Sequence, residues 1–528
     1  MNLATQVFSG HSRRNPLMIL GFLLCAAIMA YEVAGYVIHN DVYGLAYTAL
    51  IFVGSAFVIG MLNDWRNGLY FFVTWLLFED FARKFLGNNM AIYFAKDFLV
   101  LVVYIAYFIA YRRKQVQSFR PPFLVPVLML VWFGVMQIFN PGSSNIIFGL
   151  LGFKLFFYYI PLMFVGYSLL DSEAQLRKFF FVNMCLALII VSLGVAQSIL
   201  GPTFLNPAHP AEDIRELSTL YRTAPISGVT VYRPTSVFVS AGRYSDFLIV
   251  AWMLVLGFSG YLLLRRRQGR ALAFISLALT VAGIALCASR GVFMWTTATA
   301  VVGSIAFIWG APWRQREVIR VLRTLQRVIL GMALGIGVLL FTYPDALLGR
   351  LAVYSETLSP YSTASELTFR ARDYPIQNFL GAFDYPRWPY GYGIGTTSLG
   401  VQYVSRIFHE KLTIGSVESG YGALVVEMGI GGLVLWLVMT FSILFAAWRV
   451  VRKLKGTPWF PLAFMIMWYA FLLFFPMTFA GIQAYEDFIL NAYVWLLLGI
   501  LFRLPSIALS SQFAVGAVHA GAPRRWVR

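Results

Sequence analysis

The stretch 458–481, PWFPLAFMIMWYAFLLFFPMTFAG, contains no charged side chain and decides the class of fold. A helix rises about 1.5 Å per residue, so about 20 apolar residues cross the hydrocarbon core of a bilayer. Comparable apolar runs occur at 16–38, 43–62, 67–82, 91–111, 122–139, 146–170, 179–201, 241–264, 271–288, 292–310, 328–344, 418–448 and 486–502. We therefore predict an all-α polytopic membrane protein with about 12–14 transmembrane helices, a range that allows for uncertain boundaries.

The composition agrees with this class. Of 528 residues, 59% are hydrophobic and only 12% are charged, whereas soluble domains carry about a quarter charged residues. Soluble enzymes, disordered chains and single-pass receptors are thereby excluded. The three cysteines, Cys25, Cys185 and Cys287, all lie in apolar runs, which indicates neither a disulfide framework nor a metal site.

The basic charge is explained by membrane topology. Lys and Arg number 41 against 23 Asp and Glu, and most of these cations lie in connectors that are cytoplasmic if the N-terminus is cytoplasmic. Because cytoplasmic loops are enriched in Lys and Arg, both termini are predicted to be cytoplasmic, with the first apolar run retained as a span. The lipid bilayer is then the expected partner, and nucleic acid is not needed as one.

Two segments predicted outside the cytoplasm, about 202–240 and 345–417, are too long to be turns, and long loops commonly carry function. The second is rich in Tyr, Trp and Gly, which suits stacking on sugar rings and equally suits a membrane interface. The predicted regions are N-terminal helices with the first periplasmic loop (1–230), central helices (231–344), a large periplasmic loop between the eleventh and twelfth spans (345–417), C-terminal helices (418–503) and a basic cytoplasmic tail (504–528).

Arginines are the main candidates for binding. Arg290 lies in Ala288-Ser289-Arg290-Gly291 between two spans, where a guanidinium normally faces protein or a water-filled cavity. Arg370 and Arg372 suit phosphate or diphosphate, or alternatively form salt bridges with Glu366 or Asp373. Weaker candidates for substrate binding are Arg233, Arg243, Lys154 and Tyr421. No nucleotide, zinc-protease or Asp-x-Asp motif is present, so neither a cofactor nor a metal is predicted.

Two residues are candidates for acid–base catalysis. Glu418, where the large loop re-enters the membrane, is either a general base on a sugar hydroxyl or a helix-terminal carboxylate stabilised by the dipole. His409 is a second candidate base, an orienting group or a plain interfacial residue. Glu427, deeper in the same span among small residues, is expected to be hydrogen-bonded within the helical bundle.

Together these pieces resemble the O-antigen ligase and polysaccharide polymerase superfamily. The resemblance rests on Arg233-Pro234-Thr235-Ser236, Ala288-Ser289-Arg290-Gly291, Phe369-Arg370-Ala371-Arg372, Gly391-Tyr392-Gly393-Ile394-Gly395, and Glu418-Ser419-Gly420-Tyr421 followed by Glu427-Met428-Gly429. It covers about residues 230–450 and depends on the order and spacing of the pieces and on the large outer loop; the first half matches only as apolar spans.

The resemblance implies a GT-C-like glycosyltransferase in the bacterial inner membrane that is independent of metal and nucleotide sugar. Its substrate would be an oligosaccharide linked to undecaprenyl diphosphate, with Arg290 and either Arg370 or Arg372 on the diphosphate and the active site periplasmic. Family ligases carry a His-Asn pair where this chain has Glu418, which favours a polymerase of exopolysaccharide or O-antigen with Glu418 or His409 as the base.

Two alternatives stay open. One is an O-antigen ligase that transfers glycan to a lipid A core or another acceptor. The other is a transporter or flippase, which predicts symmetric halves, whereas the outer charged loop here lies toward the C-terminal third. A chain-length regulator or a flippase is a further partner consistent with the polymerase reading.

Overall fold

The computed structural model describes residues 31–36, 38–39, 42–86, 90–206, 220–265, 269–312, 337, 340–398, 414 and 417–520. His409 and most of the predicted spans 16–38 and 328–344 lie outside these residues. The chain divides into two compact units, residues 1–69 and 70–528. The first contains α1 (Val42–Asn63) and the beginning of α2 (Trp65–Leu86), and the second contains the remaining elements.

Helices dominate the second unit. They are α3 (Met90–Arg112), α4 (Leu124–Ile138), α5 (Ile146–Phe157), α6 (Leu162–Leu169), α7 (Glu173–Leu200), α8 (Ala241–Arg265), α9 (Arg270–Leu286), α10 (Arg290–Gly310), α11 (Pro344–Leu358), α12 (Tyr374–Gly381), α13 (Gly420–Lys453), α14 (Phe460–Leu472), α15 (Thr478–Ala480), α16 (Gln483–Glu486) and α17 (Phe488–Ala520). A short antiparallel hairpin joins β1 (Tyr221–Thr223) to β2 (Thr230–Tyr232).

Within the described residues, eight helical segments are long and apolar enough to cross a membrane: Ala91–Arg112, Ile146–Leu169, Glu173–Leu200, Ala241–Arg265, Arg290–Gly310, Gly420–Lys453, Phe460–Ala480 and Phe488–Ser510. Shorter apolar helices cover Gly54–Asn63, Leu124–Ile138 and Arg270–Leu286. The predicted class, a multi-pass helical membrane protein, is confirmed. The stretch 458–481 is helical but widens into a π-helical turn at Leu473–Met477, where Pro476 lacks the N–H that a regular helix requires.

The outward faces are apolar, as a bilayer requires. On α3 the exposed side chains Phe94, Phe98, Leu101, Ile105 and Phe108 recur every three or four residues and form one stripe. Inside, α8 is largely buried and packs against α9 and α14, while α17 packs along α6. At this last contact Gly166 and Gly499 face carbonyl oxygens of the opposite helix so closely that a side chain has no room.

The two long connectors hold ordered structure in their described parts. The β-hairpin lies in segment 202–240, and α11 and α12 lie in segment 345–417 with a π-helical turn at Phe369–Asp373 and a 3₁₀ turn at Ala382–Asp384. The all-α prediction was therefore incomplete, because it did not include the β-hairpin. These elements meet the turn between α9 and α10 and the start of α13, and that meeting point carries the candidate site.

Candidate functional site

Arg290 occupies the first position of α10, directly after the tight turn Cys287–Ser289. Ala288 in that turn has φ +50°, a left-handed conformation that is uncommon for a residue with a β-carbon. A cation at a helix N-terminus opposes the helix dipole, so Arg290 needs a compensating anion. Glu366 provides one, with 2.7 Å between the Arg290 Nη1 and Glu366 Oε2 atoms.

The same carboxylate oxygen of Glu366 also contacts Arg370, at 3.2 Å from its Nε atom. Burial alone would raise the pKa of Glu366, but Arg290 and Arg370 outweigh burial and hold that pKa below its ordinary value. Two of the arginines singled out from the sequence are thus joined through one acid. The salt bridge that the alternative reading expected between Arg370 and Glu366 is present, and it is part of a larger group.

The β-hairpin adds two more guanidinium groups. Arg222 pairs with Val231 in the ladder, and the Arg233 N–H donates to the Leu220 carbonyl at 2.7 Å, just beyond β2. Glu356 of α11 accepts hydrogen bonds from the backbone N–H groups of the hairpin turn, including that of Ile226 at 2.6 Å. The hairpin is therefore held on α11 by its turn.

Arg350 of α11 fastens the other end of the hairpin. Its guanidinium donates to the Leu286 carbonyl at 2.6 Å and to the Tyr232 carbonyl at 2.9 Å, and the residue is buried. Leu286 is the last residue of α9 and Tyr232 the last of β2. Arg350 thus acts as a structural link between α9, β2 and α11, because charge-assisted bonds to carbonyls are strong where water is scarce.

We define the arginine cluster as Arg222, Arg233, Arg290 and Arg370. Burial lowers the pKa of Arg222 to about 10, and the positive charges of Arg290 and Arg233 act in the same direction. Burial likewise lowers the pKa of Arg233, with Arg290 adding to the effect. Within the described residues, the Arg222 side chain forms no hydrogen bond or ion pair. Positive charge from Arg290, Arg370 and Arg222 therefore lies near Glu366, and a phosphate or diphosphate would balance the excess.

Glu418 lies next to the arginine cluster. The guanidinium of Arg370 sits 5.1 Å from the centre of the Tyr374 ring. The Tyr374 hydroxyl donates a hydrogen bond to the Glu418 carboxylate, and that bond raises the pKa of Tyr374. Glu418 is exposed, two residues before α13 begins. A solvent-reachable carboxylate is thus oriented by a tyrosine that also touches an arginine of the cluster.

Other predicted site residues lie elsewhere. Arg372 pairs with Asp373 at 2.7 Å, and its side chain is 68% exposed and outside the arginine cluster. Tyr421 is buried, and its hydroxyl donates to the Phe474 carbonyl at 3.1 Å. Its polar group is therefore used within the bundle.

Arg243 and Lys154 belong to a second group, which we define as the inner charged cluster. Its cations are Arg83, Lys96, Lys154 and Arg243, and its anions are Glu79, Asp80, Asp97 and Asp487. The bonds are Arg243–Asp80 at 2.7 Å, Arg83–Asp80 at 3.1 Å, Lys96–Glu79 at 3.0 Å, Lys154–Asp97 at 2.5 Å and a longer Arg243–Asp487 contact at 4.0 Å. Each of these cations is paired with a carboxylate of the same cluster.

Glu427 is buried, as expected, and it anchors the glycine-rich segment. Its carboxylate accepts hydrogen bonds from the Gly395 N–H at 2.9 Å and from the Thr397 N–H and hydroxyl at 2.9 and 2.7 Å. Gly391 has φ +79° and lies against the backbone of α13, where Gly429, at φ +70°, interrupts the helix. A side chain at either position would clash, so these glycines permit close packing.

Arg222 and Tyr374 were not singled out from the sequence. Arg222 stands in an unremarkable Tyr-Arg-Thr triplet, and only the hairpin register brings it to Arg290. Tyr374 follows the Arg370 segment by one helical turn, which is a usable signal, since residues four apart share a helix face. Within the described residues, no group of three or more His, Cys, Asp or Glu side chains is arranged to hold a metal ion.

The fold and the site define a multi-pass helical membrane protein with a cluster of arginines among its connecting segments. No family model matches the chain, and no curated protein is similar to it.

Proposed function

We propose that the protein is a membrane glycosyltransferase that polymerises a bacterial exopolysaccharide or O-antigen, acting on oligosaccharide linked to undecaprenyl diphosphate. The observation that carries the proposal is the arginine cluster, in which Arg290 and Arg370 share Glu366 while Arg222 and Arg233 lie close by. Planar guanidinium groups match the oxygens of a diphosphate and remain charged at neutral pH.

The chemistry follows from the positions of the groups. The Glu418 carboxylate takes the proton of the acceptor hydroxyl, whose oxygen attacks the anomeric carbon of the donor sugar. The bond between that carbon and the diphosphate oxygen breaks, and undecaprenyl diphosphate leaves with the bonding electrons. The arginine cluster stabilises the negative charge that develops on the leaving group, which lowers the barrier because it binds the transition state more tightly than the substrate. Attack opposite the leaving group inverts the anomeric carbon.

We also propose the side of the membrane on which the reaction takes place. The reaction takes place at the periplasmic face of the inner membrane, with both termini cytoplasmic, because the charge rule predicts that the Lys- and Arg-rich connectors are cytoplasmic and that the segments carrying the arginine cluster are not. The GT-C-like character of the helical bundle belongs to the same proposal, as does partnership with a chain-length regulator or a flippase. His409 remains a second candidate base.

The decisive experiment uses the purified protein in nanodiscs with an undecaprenyl-diphosphate-linked repeat unit, EDTA and no nucleotide sugar. The expected product is a ladder of polymers on a gel. Glu418→Gln should reduce its rate about 10²–10⁴-fold, the usual contribution of a general base. Arg290→Ala should reduce it about 10²–10³-fold, as loss of one transition-state donor does.

Other outcomes identify other functions. If lipid-linked units stay single until a core acceptor is supplied, the protein is a ligase. If no glycan is transferred and labelled lipid changes leaflet in vesicles, the protein is a transporter. If the ladder forms at an unchanged rate in the Glu418→Gln variant, Glu418 is not the base, and a His409→Ala variant then tests the second candidate.

A further inference from the structure

A short turn, Thr235–Ser236, links the arginine cluster to α2, the helix that carries part of the inner charged cluster. The turn follows Arg233 after a single proline. Ser236 has φ +51°, a left-handed conformation that costs free energy for a residue with a β-carbon and persists only where neighbouring groups enforce it. The contacts that enforce it therefore also fix the backbone that carries Arg233.

Lys84, near the end of α2, makes two of those contacts. Its ammonium group donates to the Thr235 hydroxyl at 2.8 Å and to the Ser236 carbonyl at 2.7 Å. The adjacent residues along α2, Asp80 and Arg83, bond within the inner charged cluster. Lys84 bonds instead to the Thr235–Ser236 turn. It therefore connects α2, which carries part of the inner charged cluster, to the segment that follows Arg233.

Gln197 of α7 holds the same turn from the other side. Its side-chain carbonyl accepts the N–H groups of Thr235 at 2.8 Å and Ser236 at 2.7 Å. The Ser236 hydroxyl donates to the Ile190 carbonyl at 2.6 Å. All of these polar groups are bonded and are buried or half-buried, so the hydrogen bonds favour one conformation of the turn. Arg233, which is separated from the turn by one residue, is then held at its C-terminal side.

We propose that Lys84 is a positioning residue for the diphosphate site: it acts through the Thr235–Ser236 turn to hold Arg233 where a diphosphate binds. The inference deepens the proposed function and rests on it for the identity of the natural substrate. In this proposal Lys84 bonds to the turn and not to the substrate. Its effect on binding should therefore pass entirely through Arg233.

The test is a double-mutant cycle read by binding of inorganic pyrophosphate, in EDTA, to the full-length protein in nanodiscs. Lys84→Met keeps the length of the aliphatic stem and removes both hydrogen bonds. We expect Arg233→Ala and Lys84→Met each to weaken pyrophosphate about tenfold, as loss of one charge-assisted contact does. The double variant should be no weaker than Arg233→Ala alone, because Lys84 has nothing left to position.

Additive losses in the double variant, or unchanged binding in Lys84→Met, would overturn the inference. Lys84→Arg, which keeps the charge and can still donate to the turn, should restore at least half of the lost binding free energy. If the Lys84→Met protein does not fold, Gln197→Leu tests the same turn, with the same expected coupling to Arg233. The failure of the proposed function is distinguishable, since wild-type protein would then bind no pyrophosphate at all or would bind it without forming polymer.

Discussion

The arginine cluster and the inner charged cluster have the same ingredients and opposite balances. In the inner cluster four cations meet four carboxylates, and Arg243 engages both oxygens of Asp80 at 2.7 Å. In the arginine cluster, among the described residues, Arg290 and Arg370 share Glu366 and the Arg222 side chain forms no hydrogen bond or ion pair. Breaking a paired set of buried charges destabilises a structure, whereas an excess of one sign attracts a ligand of the other.

Of the two clusters, the inner charged cluster holds the most deeply buried charges. Asp80 and Lys96 are almost completely buried, as charged groups are when they are paired and hydrogen-bonded. The Arg290 and Arg370 side chains are 19% and 52% exposed, so a ligand can reach them.

The largest expected effect on stability comes from removing a carboxylate of the inner charged cluster. Asp80→Asn removes the carboxylate that contacts both Arg83 and Arg243, and breaking a buried ion pair in this way costs about 3–5 kcal/mol. Unfolding of the purified protein in detergent, followed by heat or denaturant, measures the loss. Asp373→Asn is the control: it breaks an exposed pair with Arg372 and should leave the stability almost unchanged. Equal losses in the two variants would show that the inner cluster is not structural.

An intermediate effect should separate Arg370 from Arg372. The two arginines are two residues apart, but only Arg370 contacts Glu366 and Tyr374. Arg370→Ala should weaken inorganic pyrophosphate binding about tenfold, while Arg372→Ala should change it by less than about twofold. Isothermal calorimetry on the two variants decides the matter. A larger loss in Arg372→Ala than in Arg370→Ala would mean that Arg372, and not Arg370, binds the pyrophosphate.

The sequence identified the membrane class and several members of the site, for physical reasons that differ. Apolar runs such as 458–481 identify spans because a bilayer leaves few alternatives to a helix. Arg290 was recognisable because a guanidinium between two spans is costly. Arg222 was not recognisable, since its role depends on the register of a three-residue hairpin and on the placement of α11. Lys154 looked isolated, and its partner Asp97 comes from a helix 57 residues earlier.

The smallest effect tests whether Glu366 holds the arginine cluster in its shape or competes with its ligand. Glu366 carries a negative charge beside the proposed diphosphate, so Glu366→Gln should tighten inorganic pyrophosphate binding by about threefold, a modest gain for a half-exposed group. The measurement is the dissociation constant of wild type and variant at equal ionic strength.

The pH dependence of that gain follows from the pKa of Glu366, which the arginines hold below its ordinary value of 4.5. A carboxylate with a lowered pKa stays ionised above that value, and its ion pairs are lost only as pH falls through the folded-state pKa. The ionisation of Glu366 should therefore contribute no pH dependence to this difference between about pH 6 and 8, far above its titration. If Glu366→Gln instead weakens pyrophosphate binding, then Glu366 orients Arg290 and Arg370. The arginine cluster would then depend on Glu366 for its shape.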